Sequence, residues 1–206
     1  MKKLLVMLSV LFLLAGTASA DWFLDFEDGA DGAEVTDISG VSFESFNGFH
    51  PIYGDSRTGN WNTTSDDLGY GSGAYHHNGN FFVFSSTAAD ARGMIVDFDN
   101  NDGTFFSTGY SSSSIFYVEA YLTDGSMVSV SGAGNLRQPM GRLTVNATAG
   151  TFIDYIVLHD SGNYWLVDDM RGDASDVGGA VPEPATFVLF GLGMIGLAGI
   201  SRRKNA

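Results

Sequence analysis

The chain has no cysteine, only four prolines and, outside its two ends, no lysine. Without thiols there is no disulfide framework and no thiol nucleophile, so a domain built from this sequence must be held by core packing or by a metal. Motifs of nucleophilic, metal-dependent and nucleotide chemistry are missing too. There is no G-x-S-x-G, no H-E-x-x-H and no P-loop. Gly132-Ala133-Gly134 lacks the third glycine of a dinucleotide fingerprint and follows no βαβ pattern. His76-His77 and His159-Asp160-Ser161 are adjacent runs, whereas catalytic triads assemble from separated positions. Basic residues are few: ten against 24 acids. Between residues 21 and 180 only Arg57, Arg92, Arg137, Arg142 and Arg171 stand against 23 acids, a balance of −18. Such a surface repels nucleic acid and attracts divalent cations, and it also keeps a protein soluble in a wet matrix.

The positive charge that does exist sits at the ends. Lys2-Lys3, an apolar stretch from Leu4 to Ala15, and Ala18-Ser19-Ala20 form the three regions of a secretory signal peptide, residues 1–20, with Asp21 as the expected mature N-terminus. At the other end, Pro182-Glu183-Pro184 precedes an apolar run from Ala185 to Ile200 and the cluster Arg202-Arg203-Lys204. Sixteen residues make a helix of roughly 24 Å, short of the ~30 Å hydrocarbon core. Bilayer thinning and snorkelling of the basic residues close that gap, and the basic cluster stays cytoplasmic. Pro184 is tolerated in the first turn, and Glu183 faces the positive end of the helix dipole. This tail closely resembles the PEP-CTERM sorting signal of Gram-negative bacteria, recognised by an exosortase. The resemblance implies export, transient anchoring in the inner membrane by a C-terminal transmembrane helix, processing near Pro182–Pro184, and a destination at the cell surface or outside it, in an exopolysaccharide or biofilm matrix.

The body, residues 21–173, is long enough for one domain with a real core. Residues 174–181 read as a linker, and residues 182–206 as the sorting signal. Glycine and serine are plentiful and no stretch holds a 3.6-residue period, so the body reads as all-β, a β-sandwich. Strands are expected near residues 22–27, 41–46, 80–85, 93–98, 115–123, 127–131, 141–146, 152–159 and 164–170. Asp124-Gly125 supplies a hairpin turn, and residues 47–79 read as long surface loops.

Phe23-Leu24-Asp25-Phe26-Glu27-Asp28-Gly29 and Tyr164-Trp165-Leu166-Val167-Asp168-Asp169-Met170 resemble the bracketing strands of jelly-roll domains of the carbohydrate-binding-module type. In that resemblance the first and last strands lie together and their carboxylates hold a structural calcium. Glu27 and Asp169 are then the leading ligands, with Asp28 and Asp168 behind them. Calcium takes six to eight oxygens, and four clustered carboxylates can begin such a shell; the same acids also suit strand-edge surface positions. Asp97–Gly103 fails as an EF-hand loop, because Asp102 stands where the loop needs glycine. Trp61, Tyr70 and Tyr75, among Asn60, Asn62, His76, His77 and Asn78, offer aromatic faces beside polar groups that suit sugar rings, or else anchors for loops on the sandwich. The expected role is a non-catalytic surface or matrix protein. A carbohydrate-binding module and a secreted glycoside hydrolase with paired carboxylates are the alternatives.

Overall fold

A computed structural model describes residues 20–38, 40–57, 74–88, 90–98, 103–162 and 164–174, all but Ala20 within one compact unit, Asp21–Gly178. Residues 1–19 of the predicted signal peptide, Trp61, Tyr70, residues 175–181 of the linker and the sorting tail lie outside the described residues, whereas Ala20 and Ala174 each belong to a strand. Among the described residues no helix is long and apolar enough to cross a membrane.

Among the described residues twelve strands run in order: β1 Ala20–Leu24, β2 Asp37–Ile38, β3 Val41–Ser45, β4 Ile52–Asp55, β5 Phe81–Phe84, β6 Gly93–Phe98, β7 Phe105–Ser112, β8 Phe116–Leu122, β9 Met127–Gly132, β10 Gly141–Asn146, β11 Ile153–Asp160 and β12 Trp165–Ala174. One sheet has the order β10-β7-β12-β5-β4, with β1 also pairing β12; the other has the order β2-β3-β6-β11-β8-β9. A strand has two hydrogen-bonding edges. Because β7 takes one edge of β12, β1 and β5 share the other. The first and last strands therefore lie together, as the jelly-roll resemblance implies.

Side-chain alternation builds the core. In β8, Phe116, Val118, Ala120 and Leu122 point inward and are buried, while Tyr117, Glu119 and Tyr121 take the outer phase. Trp22 packs its ring 5.8 Å from Phe98 and 6.2 Å from Phe106, Tyr110 stacks on Phe116 at 5.0 Å, and Trp165 lies 5.2 Å from Phe116. The β8–β9 hairpin turns at Gly125, whose φ of 82° suits glycine. Asp124 tightens the turn by accepting bonds from Ser126 N–H and Oγ–H.

Three strands fall where no strand is expected: the two-residue β2, which pairs with β3, and β7 and β4. β7 contains Ser107, Thr108, Gly109, Ser111 and Ser112, a composition that reads as loop, yet it lies between β10 and β12 and is buried along nearly all its length. Its small side chains permit this. A Cβ on Gly109 would lie 2.5 Å from Met140 Cε, and the Thr108 hydroxyl donates to the Gly109 carbonyl at 2.9 Å. β4 rises inside the stretch expected to be surface loop and pairs Ile52–Asp55 with Phe81–Phe84.

The two sheets differ on their outer faces. A second apolar cluster of Ala74, Tyr75, Phe82, Phe84 and Leu166, with Leu136 against it, covers the outside of the first sheet. Among the described residues, the outer face of the second sheet carries no such cluster.

Candidate functional site

Glu27, Asp168 and Asp169 converge on the segment 78–81. Glu27 Oε1 accepts the N–H groups of Asn80 at 2.7 Å and Phe81 at 2.9 Å. Asp168 Oδ2 accepts Asn78 N–H at 2.8 Å, and its Oδ1 accepts Asp169 N–H at 2.7 Å. Asp169 Oδ2 takes the side-chain N–H of Asn78 and an ion pair with Arg142 at 3.5 Å. Neighbouring strand residues ordinarily face opposite ways. Here a bulge between Asp168 and Arg171, with Asp169 at φ 50°, lets both carboxylates reach Asn78. Burial pushes the Asp168 carboxyl up to about 7; the N–H bonds from Asn78 and Asp169 oppose the rise, and the charges of Asp169 and Glu27 add to it. Asp28 is exposed, and its charge bears on Tyr53 rather than on this cluster. These carboxylates are met by N–H donors, and among the described residues no three acid or imidazole groups are arranged as metal ligands.

Tyr75 does not present a face to solvent. It is 3% exposed, packs in the outer cluster of the first sheet, and burial pushes its phenol up to about 12. The segment 74–80 folds back over Phe82, Phe84 and Leu166, so the ring anchors that segment instead of offering a sugar platform.

The open sheet carries a different arrangement, set by its register. Glu44 pairs with Ile95, Ile95 with Val157, and Val157 with Glu119, which gives one transverse row. On one side of it His159 pairs with Tyr117 and with Gly93. The Phe46 ring lies over that glycine, where a Cβ would come within 2.5 Å of the ring. On the other side Asp97 pairs with Tyr155, and Tyr155 with Tyr121. The rings stand in stacked pairs, His159 on Tyr117 at 4.9 Å and Tyr155 on Tyr121 at 4.6 Å. The two pairs stand four residues apart along β11, about 13 Å at strand rise. Between them runs a trough of about 540 Å³, floored by Ile95, Val157 and Glu119 and closed at one end by Asp160, Ser161 and Gly162.

Few polar groups enter the trough, and most are fixed. The Glu119 carboxylate lies 3.5 Å from His159 Nε2, with the two side chains 23% and 29% exposed, and it accepts from Tyr121 O–H at 3.4 Å. Burial, then the Glu119 charge, pushes the Tyr121 phenol upward, so it stays a donor. Asp160 accepts from the Ser112 and Ser114 hydroxyls and from Gly162 N–H, which engages both its oxygens in holding the end wall. An apolar floor between aromatic walls, with a carboxylate, an imidazole, phenols and Arg92 around it, is what a ring with C–H faces and peripheral hydroxyls requires. The pattern reading passed over this site, although its trace is in the sequence. Tyr117, Tyr121 and Tyr155 occupy the solvent phase of their strands, where polar residues are usual.

Residues 180–204 match the PEP-CTERM protein-sorting motif. No curated protein matches the chain in sequence. Among solved structures, the chain is similar to a family 29 carbohydrate-binding module from Piromyces equi, at 7% identity and TM-score 0.42, over 76% of this chain and 92% of that one. It is similar to a mutant of a second family 29 module used to study ligand recognition, at 7% identity and TM-score 0.39, over 75% and 86%. A Podospora anserina β-(1,4)-mannanase with a family 35 module gives 13% identity and TM-score 0.32, over 76% of this chain and 28% of that one.

Proposed function

We propose that this is an exported, exosortase-sorted surface protein whose sandwich binds carbohydrate, without cleaving it, in the trough of the second sheet. The observation that carries the binding reading is the pair of stacked aromatic walls around an apolar floor. Buried apolar rows belong inside a sandwich; on an open face they favour a ligand that covers them. The sorting motif supports the rest: export, a transient C-terminal membrane anchor and processing by an exosortase. An exopolysaccharide or biofilm matrix is the proposed setting. The absence of cleavage is supported by the two acids of the trough, since Asp160 is held by hydroxyls and Glu119 by His159 and Tyr121.

We further propose that one calcium ion closes the junction of the first and last strands, with Glu27 and Asp169 as leading ligands and Asp168 behind, Asp28 standing apart from them. Three of these carboxylates already gather around Asn78–Asn80, and all are hard oxygen donors. The shell would complete when the Asn78 and Asn80 amides, now donating N–H, turn their oxygens inward.

A glycan array probed with the full chain, in a detergent without a sugar head group, tests the binding. Wild type should bind a small set of glycans and release no reducing ends. Tyr155→Ala should weaken that binding at least tenfold, about 1.4 kcal/mol. Binding that ignores Tyr155→Ala, or no binding at all, would sink the reading.

A further inference from the structure

Beyond Ile95 the open face continues into a second hollow of about 350 Å³, lined by Thr36, Asp37, Ser42, Glu44, His50 and Asp97. Ile95 lines both hollows, so they form one path across the sheet from β2 to β8. The charges along this path are one-sided. Glu119 and Glu44 stand at the two ends of the row whose middle is Val157 and Ile95. Three inter-strand steps separate them, about 14 Å. Asp97 and Asp37 lie in the flanking row, each opposite Ser42. The basic groups on the path are Arg92, His159 and His50, and His159 already faces Glu119.

We infer that the ligand is a glycan carrying free amino groups, a hexosamine polymer with ammonium substituents; this rests on the carbohydrate reading of the trough. A sugar ring lying on Ile95 and Val157 finds a carboxylate at each end of its floor. An ammonium on such a ring exchanges its water for a charge-assisted hydrogen bond to a carboxylate. Uronates, sulfates and phosphates would meet the same carboxylates as like charge, on a body whose balance is already −18. Neutral rings gain the floor and the walls and donate hydroxyl hydrogen bonds to the end carboxylates, but without the ion pair that an ammonium adds. The acids therefore select, while the aromatic pairs hold.

Isothermal titration calorimetry tests this with the full chain in a detergent without a sugar head group, at about 0.15 M salt so that distant charges are screened. The probes are β-linked oligomers of equal length made of glucosamine, N-acetylglucosamine, glucose and glucuronate. The glucosamine oligomer should bind at least about tenfold tighter than the glucose oligomer, and glucuronate should give no binding heat. Glu119→Gln and Glu44→Gln should each draw glucosamine towards parity with glucose while glucose still binds. Glu34→Gln, an exposed acid bridged to Ile52 of the first sheet, should leave the preference intact. An equal loss from Glu34→Gln would reduce the preference to general charge and overturn the inference. Glucose or N-acetylglucosamine binding as tightly as glucosamine, in a manner that Tyr155→Ala removes, would overturn the amine and leave the trough standing. Binding of no oligomer, or binding indifferent to Tyr155→Ala, would remove the carbohydrate reading together with it.

Discussion

Raising the pH from about 4 to about 8 in the presence of chelator should cost the fold stability through Asp168, and Asp168→Asn should delete that part of the profile. The carboxyl is fully buried, and its folded value is pushed up to about 7 by that burial. In the unfolded chain it titrates near 3.9. The folded state therefore holds the proton more tightly. Its favourable contribution is complete below about pH 4, declines as the pH rises through about 7, and is gone above that. A separation of about three pH units at roughly 1.4 kcal/mol each sets an upper figure of about 4 kcal/mol, and relaxation around the charged form brings the expected span to about 2–4 kcal/mol. Urea unfolding at several pH values gives the measurement, read as the difference between wild type and variant so that the other acids cancel. Asn places an N–H₂ group against one of the two backbone N–H donors, so the variant is weaker everywhere by about 1–3 kcal/mol; the slope, not the level, carries the test. Saturating calcium should flatten the wild-type profile, because a bound cation keeps the carboxylate ionised. Parallel profiles of wild type and variant in chelator would refute the reasoning.

Three other outcomes follow from the structure. The buried Asp173 carboxylate accepts Thr104 N–H at 2.6 Å and Phe105 N–H at 2.8 Å, as well as the Thr104 hydroxyl, so Asp173→Ala should cost about 1–3 kcal/mol of stability in urea unfolding by removing their shared acceptor; a loss under about 0.5 kcal/mol would contradict that role. If calcium joins Glu27 to Asp169, chelator should lower the melting temperature and Glu27→Ala should erase the difference; a chelator-insensitive melt counts against the ion. Intact-mass measurement of the surface form should show Arg202, Arg203 and Lys204 removed, and a mature species that keeps them would exclude processing.

Much of the framework was legible in the sequence because alternation is local. Val41–Ser45, Gly93–Phe98, Met127–Gly132 and Gly141–Asn146 lie where strands were expected, and Asp124-Gly125 makes the expected turn. β7 was not legible. Its serines, threonine and glycine favour turns by composition, and only the neighbours β10 and β12, with Met140 over Gly109, make such a strand worth burying. Which of its two readings Tyr75 takes was not legible for a similar reason: nothing local reveals that Ala74 and Tyr75 pack over the first sheet. The meeting of Glu27 with Asp168 and Asp169 came from the pairing of first and last strands, a matter of topology that the jelly-roll resemblance supplied. The trough joins residues from β6, β8 and β11, so its walls appear only once register is known, although aromatics on the outer phase of β8 and β11 already marked those strands.

The most direct measurement is an NMR titration of the full chain, carrying labelled isoleucine and valine methyls and tyrosine rings, with the glycan that the array selects. The methyls of Ile95 and Val157 and the rings of Tyr121 and Tyr155 should shift together and saturate at one affinity. Shifts confined to the Trp61 indole or to the outer face of the first sheet, with the Ile95 and Val157 methyls unmoved, would contradict carbohydrate binding in the trough.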